Sequence, residues 1–360
     1  MLPFDYKKYQ NPNQEVATMY YIGLDVASKS SFVHVIDGRG KKIESKEIPT
    51  DKDSYRQYFG EWAKKAVYVA VEAGGHTRWI HDTITKFGIN VYVVNPHKVK
   101  LIAESKKKTD KIDAKILAEL LRMDGLPKRV HVATGESREL RDLLRSRQQL
   151  IKSTTNVMNH VRGLLRQEGI RLKPKALSTG EIFSRLRESG GIPAHFVPIL
   201  SCYESAIAEL YKQRRALDVV IAGYEHEDID LLKTIPGFGE VSSKTVFAAV
   251  STIKRFPRAK QLTSYCGMVP TVRSSGERAN YGHITREGRS EVRQMAVQSA
   301  HALLRCKTIE SFPLRKWHER VAKRRGFKTA VVGLARKLME IAFYVLRDRR
   351  AYDARLLQVT

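Results

Sequence analysis

The sequence predicts an α/β domain followed by a mainly helical chain. Three observations carry that reading: apolar, β-branched runs alternate with helical stretches up to about residue 120, apolar residues then recur every seven positions, and a Gly-rich turn separates two helical stretches near residue 237.

Residues 1–18 form a polar N-terminal extension without the apolar core of a signal peptide. Residues 19–48 read as strands, with hairpin turn chemistry at Asp37-Gly38 and Arg39-Gly40. A helical stretch from Asp51 to Lys64, the strand AVYVAVEA, a helix around Trp79 to Phe87 and the strand INVYVVN follow. A helix carrying Asp110 and Asp113 closes the unit. Three strands in a meander, then helix and strand in alternation, is the pattern of a ribonuclease-H-like (RuvC-like) α/β domain, assigned to residues 19–130.

Residues 131–228 are expected to form a coiled-coil helical arm. Leu144, Ile151, Met158 and Leu165 repeat every seven, with Leu140 and Val161 on the alternate row and Arg147 and Thr154 interrupting it. A second helix places Leu200, Tyr203, Ile207, Leu210, Arg214, Leu217 and Ile221 at alternating spacings of three and four. The stretch from Lys173 to Pro193 joins them. Residues 229–360 are expected to form a mainly helical C-terminal domain. In it, LLKTIPGFGEVSSKTVFAAV is similar to a helix-hairpin-helix element, whose turn amides at Gly237 and Gly239 would cradle a phosphate. The same stretch lacks the spacing of a P-loop. The last helix is core-facing through positions 331, 334, 335, 338, 341, 342 and 345, with Arg336 and Lys337 on the wet side.

The charge is unusual: 64 Lys and Arg against 38 Asp and Glu, a formal net of +26. Such a surplus draws a polyanion, because each cation placed on a phosphate releases condensed counterions. Lys107, Lys108, Lys323, Arg324 and Arg325 are the first candidates for that role. No apolar run reaches the roughly 18–20 residues of a spanning helix, so no membrane partner is expected. Cys202, Cys266 and Cys306 lie far apart without metal-ligand spacing, which argues against zinc and against a disulfide framework.

Among so many cations, four acids stand out. Asp25 and Glu72 each close an apolar run, while Asp110 and Asp113 sit three apart on one helical face. Mg²⁺ prefers carboxylate and water oxygens, and two such ions can stabilise the attacking and leaving oxygens of a phosphoryl displacement. Acids converging from two strands and a helix suit a site for two Mg²⁺ ions, with Mn²⁺ able to substitute, acting on phosphodiesters.

Several of these segments together resemble a known family. GLDVASKSSFVHVID, VEAGGHTRWI, VNPHKVK and KTDKIDA resemble the DEDD catalytic domain of the bridge-RNA-guided insertion-sequence transposases, the one-ten family. CGMVPTVRSSGERANYGHITREGRSEVRQMAVQSA resembles their C-terminal transposase domain. The resemblance spans roughly Met19 to Asp348; Gly75 departs from it where a hydroxyl residue is commoner. It implies a metal site of Asp25, Glu72, Asp110 and Asp113 working with a nucleophilic serine in SSGE, Ser275 before Gly276 being preferred to Ser274. Arg273, Arg278, Arg286 and Arg289 around it are placed to hold a phosphate. It also implies double-stranded donor and target DNA and a structured bridge RNA as partners, a homodimer assembling to a tetramer, and a cytoplasmic, nucleoid-associated protein of a prokaryote.

The leading expectation is therefore an RNA-guided DNA recombinase or transposase working through a phosphoserine intermediate. The same acids would serve a RuvC-like junction-resolving nuclease that activates water, or a site-specific DNA invertase. An architectural nucleic-acid-binding protein would use the basic C-terminal half and has no need of four gathered acids.

Overall fold

The computed structural model describes residues 19–102, 109–173, 175–178, 180–188, 191–275 and 278–355. They divide into two units that meet in sequence between Ala133 and Thr134.

The first unit opens with β1 (Met19–Val26), β2 (Ser30–Asp37) and β3 (Lys42–Pro49), which pair antiparallel in sequence order. Then follow α1 (Lys52–Gly60), β4 (Ala66–Glu72), α2 (Thr77–Thr85), β5 (Asn90–Val94), α3 (Pro96–Ile102) and α4 (Asp110–Arg122). β4 joins β1 in parallel and β5 joins β4, giving the order β3-β2-β1-β4-β5. This order is consistent with the expected ribonuclease-H-like arrangement, and it follows from connection lengths: short turns allow only antiparallel neighbours, whereas helical crossovers return the chain in parallel. The helix expected from Asp51 starts one residue later, because Asp51 is its cap, accepting from the amides of Asp53 and Ser54.

Strand alternation sends Ile22, Leu24, Val69 and Val71 to one side, where they pack with Tyr55, Phe59 and Ile80 of α1 and α2. Tyr21 and Ala70 face the other side, against Leu117, Ala118 and Leu121 of α4. The sheet is thus covered by helices on both faces. Tyr55 Oη donates to Ser31 Oγ at 2.6 Å, satisfying both groups in the interior.

The second unit begins with the 33-residue helix α5 (Gly135–Gln167), about 50 Å long at 1.5 Å per residue. It continues with α6 (Glu181–Glu188), α7 (Phe196–Ala222), α8 (Glu227–Lys233), α9 (Glu240–Val250) and α10 (Ala259–Tyr265). The hairpin β6 (Pro270–Ser275) and β7 (Arg278–Ile284) is followed by α11 (Ser290–Arg305), α12 (Phe312–Arg325) and α13 (Phe327–Asp348).

Helices α5 and α7 run antiparallel, with Arg147 paired to Asp218 near one end and His160 against Tyr203, ring centroids 5.3 Å apart, near the other. Arg147, which breaks the apolar row in the sequence, forms a polar layer with Asp218 and Arg214. At the far end Met158, Val161, Leu165, Leu200 and Ile207 bury against Phe183 and Leu186, so the joining stretch contributes α6 to a small core of its own. At the near end Leu140, Leu144 and Ile221 belong to the large core built on α9, α11 and α13. The helical pair is therefore rooted in the C-terminal core. On α13 every residue of the expected inner face is buried, while Arg336, half-buried, pairs with Glu340.

Two buried cations bind the root together. Lys244 on α9 is fully buried and donates to the carbonyls of Ile221 at 2.7 Å and Ala222 at 2.9 Å, closing the C-terminus of α7 while pairing with Glu240. Arg141 on α5 donates from Nη2 to Ala248 O at 2.7 Å, closing the C-terminus of α9. Unsatisfied carbonyls carry the negative end of a helix dipole, so a cation is the suited cap. Burial, with Arg289 next in effect, pushes the Arg141 guanidinium down to about 10, which still leaves it charged at neutral pH. Cys202, Cys266 and Cys306 are unpaired, and among the described residues no helix is long and apolar enough to cross a membrane.

Removing the Lys244 amine strands two buried carbonyls and leaves a void. Lys244→Ala is expected to lower unfolding stability by about 2–4 kcal/mol, read as a lower urea midpoint of the full-length protein. An unchanged midpoint would remove Lys244 from its capping role.

Candidate active site

β1 and β4 place Asp25 and Glu72 side by side. Leu24 is in register with Val71, so the next residue of each strand is the acid, and alternation points both toward the α4 side of the sheet. After β4 the chain turns sharply: Thr77 Oγ1 accepts from the Gly74 amide at 2.6 Å and donates to the Glu72 carbonyl at 3.3 Å. Gly75, the departure from the one-ten pattern, has, among the described residues beyond its chain neighbours, no atom within 4 Å of where a Cβ would stand, so a hydroxyl residue would find open space there.

Asp110 and Asp113 lie in the first turn of α4, behind an N-cap at Thr109 whose Oγ1 accepts from the Ile112 amide. Helix amides that lack partners favour negative charge at that end. What carries this turn to the strands is a close approach. A Cβ built on Gly23 would stand 1.8 Å from the Ala114 carbonyl oxygen and 2.6 Å from the Ala118 nitrogen. Only glycine on β1, facing two alanines one turn apart on α4, lets helix backbone rest on strand backbone. The sequence held the signal in a lone Gly within YYIGLDV and the Ala114/Ala118 pair.

The four acids share one electrostatic environment. Asp25 is pushed up from 3.8 to about 6, first by burial and then by the charges of Asp110, Asp113 and Glu72, against the smaller pull of the Val26 amide. Among the described residues no three His, Cys, Asp or Glu side chains stand close enough to enclose an ion as they rest. Repulsion within an all-carboxylate set opposes closer approach, and a hard divalent cation would relieve it. The donor chemistry therefore fits Mg²⁺ or a similar ion.

The serine segment belongs to the second unit. Ser275 ends β6 and pairs with Arg278, the first residue of β7, while Ser274 pairs with Ala279. Gly276 lies outside the described residues, as do Lys107, Lys108 and the side chains of Arg273, Ser274, Ser275 and Arg278. The foot of the hairpin is tightly sewn: Thr285 N donates to Val269 O, Arg286 N to Gly267 O and Arg289 N to Tyr265 O. Gly267 and Gly288, both at positive φ, allow these crossings, since a Cβ on Gly288 would come within 2.2 Å of the Tyr265 carbonyl.

Arg286 is exposed, but Arg289 is half-buried and employed: its Nε donates to Tyr265 Oη at 2.9 Å, and Tyr265 Oη donates in turn to Ala249 O at 3.2 Å. Gly237, at φ +87°, packs against α11, where a Cβ would stand 2.3 Å from the Ser299 carbonyl. Gly239 is exposed at the start of α9, its amide donating to Ser242 Oγ. Lys323, Arg324 and Arg325 are exposed in the last turn of α12.

Two outcomes follow from the first unit. Gly23→Ala is expected to cost about 2 kcal/mol or more of stability by overpacking, and to weaken cation-induced thermal stabilisation more than a neutral surface change does. A cation response equal to wild type would mean that the approach of α4 does not position the acids. For pH, the folded state raises the Asp25 pKa, so ionisation opposes folding: the penalty is absent well below pH 3.8, grows toward pH 6 and is constant well above it. Asp25→Asn should therefore stabilise the cation-free protein by about 1–2 kcal/mol at pH 8, allowing for its half exposure, and by only a few tenths of that at pH 4. Equal melting temperatures for variant and wild type at pH 8 would refute the coupling.

Comparison with known proteins gives two family matches. Residues 22–169 match a transposase model, the DEDD domain of IS110 transposases, and residues 229–313 match a transposase model of the IS116/IS110/IS902 family. Over 344 residues the chain is 29% identical to the transposase for insertion sequence element IS1111A of Coxiella burnetii, covering 92% of this chain and 90% of that protein. It is 24% identical to a probable family 20 transposase of Pseudomonas aeruginosa, at 92% and 98% coverage. An insertion element IS110 uncharacterized 43.6 kDa protein of Streptomyces coelicolor is 25% identical at 93% and 96% coverage. The β-sheet acids lie in the first match and the serine hairpin in the second, and the chain, carrying both domains and similar to IS110 and IS1111 transposases over nine-tenths of its length, is a DNA-cleaving and rejoining transposase.

Proposed function

We propose that this transposase cuts and rejoins DNA through a covalent bond to Ser275, under the direction of a structured bridge RNA. The observation that carries the reading is the convergence of Asp25, Glu72, Asp110 and Asp113 on one side of the sheet, felt as the raised pKa of Asp25. These four residues would hold two Mg²⁺ ions, or Mn²⁺ in their place, whose charge stabilises the attacking and leaving oxygens.

The serine hydroxyl gives up its proton as its oxygen bonds to phosphorus. The bond from phosphorus to the departing sugar oxygen breaks, and that oxygen takes up a proton. Attack by another sugar hydroxyl reverses the exchange and frees the serine. Bond energy is conserved throughout, which agrees with the lack of a P-loop. The net charge of +26 supports polyanionic partners, namely double-stranded donor and target DNA and the RNA. The assembly that goes with this reading is a homodimer forming a tetramer, in which one chain's serine would meet another's acids.

The test is cleavage of donor DNA with Mg²⁺ and RNA transcribed from the flanks of the gene. A protease-sensitive protein–DNA adduct is expected with wild type, undiminished by Ser274→Ala and absent in Ser275→Ala. Asp25→Ala should reduce the rate by about 10³-fold or more. Cleavage that persists in Ser275→Ala with no adduct would instead make the protein a RuvC-like nuclease using water. Mixing Asp25→Ala with Ser275→Ala protein should restore activity if one chain's serine meets another's acids.

A further inference from the structure

The C-terminal helices carry a basic, aromatic groove that neither the acid site nor the serine hairpin uses. Residues 307–328 hold eight Lys or Arg against Glu310 and Glu319. One wall of α12 packs on α13 through Leu314 and His318, both buried. Trp317 is seated on Gly333, where a Cβ would approach the indole to 3.1 Å, so the ring is held in place. Beside it opens a groove of about 1360 Å³ whose lining includes Phe312, Lys316, Trp317, Arg320, Lys323 and Lys337. Phe312 is 48% exposed, with Lys316 Nζ 4.7 Å from its ring centroid, and Lys337 Nζ lies 5.6 Å from the centroid of Trp317.

We infer that this groove binds unpaired nucleotides of a nucleic-acid strand. The charge selects a polyanion, with five cations and Glu319 as the single acid of the lining. The rings select its form. A duplex keeps its bases stacked inside and offers only phosphates, which would leave Phe312 and Trp317 without work. A single strand offers flat faces for the rings and a phosphate for each adjacent ammonium. An anionic membrane would also attract cations and aromatics, but there the rings should project outward. Trp317 is instead half-buried against Gly333 and lines the groove, so its ring does not project outward. At 1.5 Å per residue, the 14 residues of α12 run about 21 Å, room for a few nucleotides. The second family match ends at residue 313, so it does not assign this groove.

The inference rests on the reading of the chain as a nucleic-acid enzyme but not on its covalent chemistry, and the experiment separates the two. Full-length protein is titrated with a fluorescent ten-nucleotide oligouridylate, a duplex DNA of equal length and vesicles containing phosphatidylserine. Phe312→Ala is expected to weaken single-strand binding about five- to tenfold while leaving duplex binding unchanged. Lys316→Gln with Lys323→Gln should lower the salt slope for the single strand by about 1.5. Quenching of tryptophan emission on oligouridylate binding should be lost in part in Trp317→Phe, which keeps an aromatic ring and the fold. Ser275→Ala should bind as wild type does, so failure of the adduct chemistry would leave this result standing. Equal losses for duplex and single strand in Phe312→Ala, no loss for either, or a loss confined to vesicles would each overturn the groove as a single-strand site.

Discussion

Backbone contact between β1 and α4 is the constraint on which the first unit depends. With Ala114 and Ala118 resting against Gly23, there is no layer of side chains to absorb error between helix and sheet. The first turn of α4 is therefore located by the strand that bears Asp25, and strand register then locates Glu72. Three elements distant in sequence deliver carboxylates to one place because their backbones, which are stiff, are in contact. Side-chain packing alone would leave the positions of such acids to rotamer choice.

The second unit solves a different problem, holding a long helical pair and a hairpin on one core. Its solution is cationic. Lys244 and Arg141 sit inside, each spent on the carbonyl end of a helix, and Arg255 joins Arg141 at the end of α9 by donating to Val250 O at 2.7 Å. A chain of contacts then runs from Ala249 through Tyr265 and Arg289 to Glu291, which also meets Arg145 of α5. The long helix and the foot of the hairpin are thereby held by the same group of residues. Part of the net positive charge is thus internal scaffolding and never meets a partner.

The acids were legible in the sequence because strand alternation and the three-residue helical spacing are local rules, and Asp25, Glu72, Asp110 and Asp113 each obey one. The order of the meander and crossovers was legible for the same reason. Gly23 was visible but mute, since its partner 91 residues onward is defined only by helix–sheet packing. Buried cations were harder still: nothing in a count of lysines distinguishes Lys244, fully buried, from Lys323, exposed. Arg289 falls between them: its loop position suggested a phosphate, and the fold gives its Nε to Tyr265. The heptad rows predicted the pairing of α5 with α7 but not that Leu140 and Leu144 would leave the seam for the C-terminal core.

That departure gives α5 the mechanics of a beam clamped at one end. Its first three turns are embedded, its remainder projects along α7, and Arg141 and Arg145 lie at the clamp. A stiff helix about 50 Å long converts a sideways displacement of a few ångströms at its far end into a tilt of a few degrees at the root. The root is also where Tyr265 and Arg289 fasten the foot of the hairpin that ends β6 at Ser275, so the clamp of the beam and the anchor of that strand are one set of contacts.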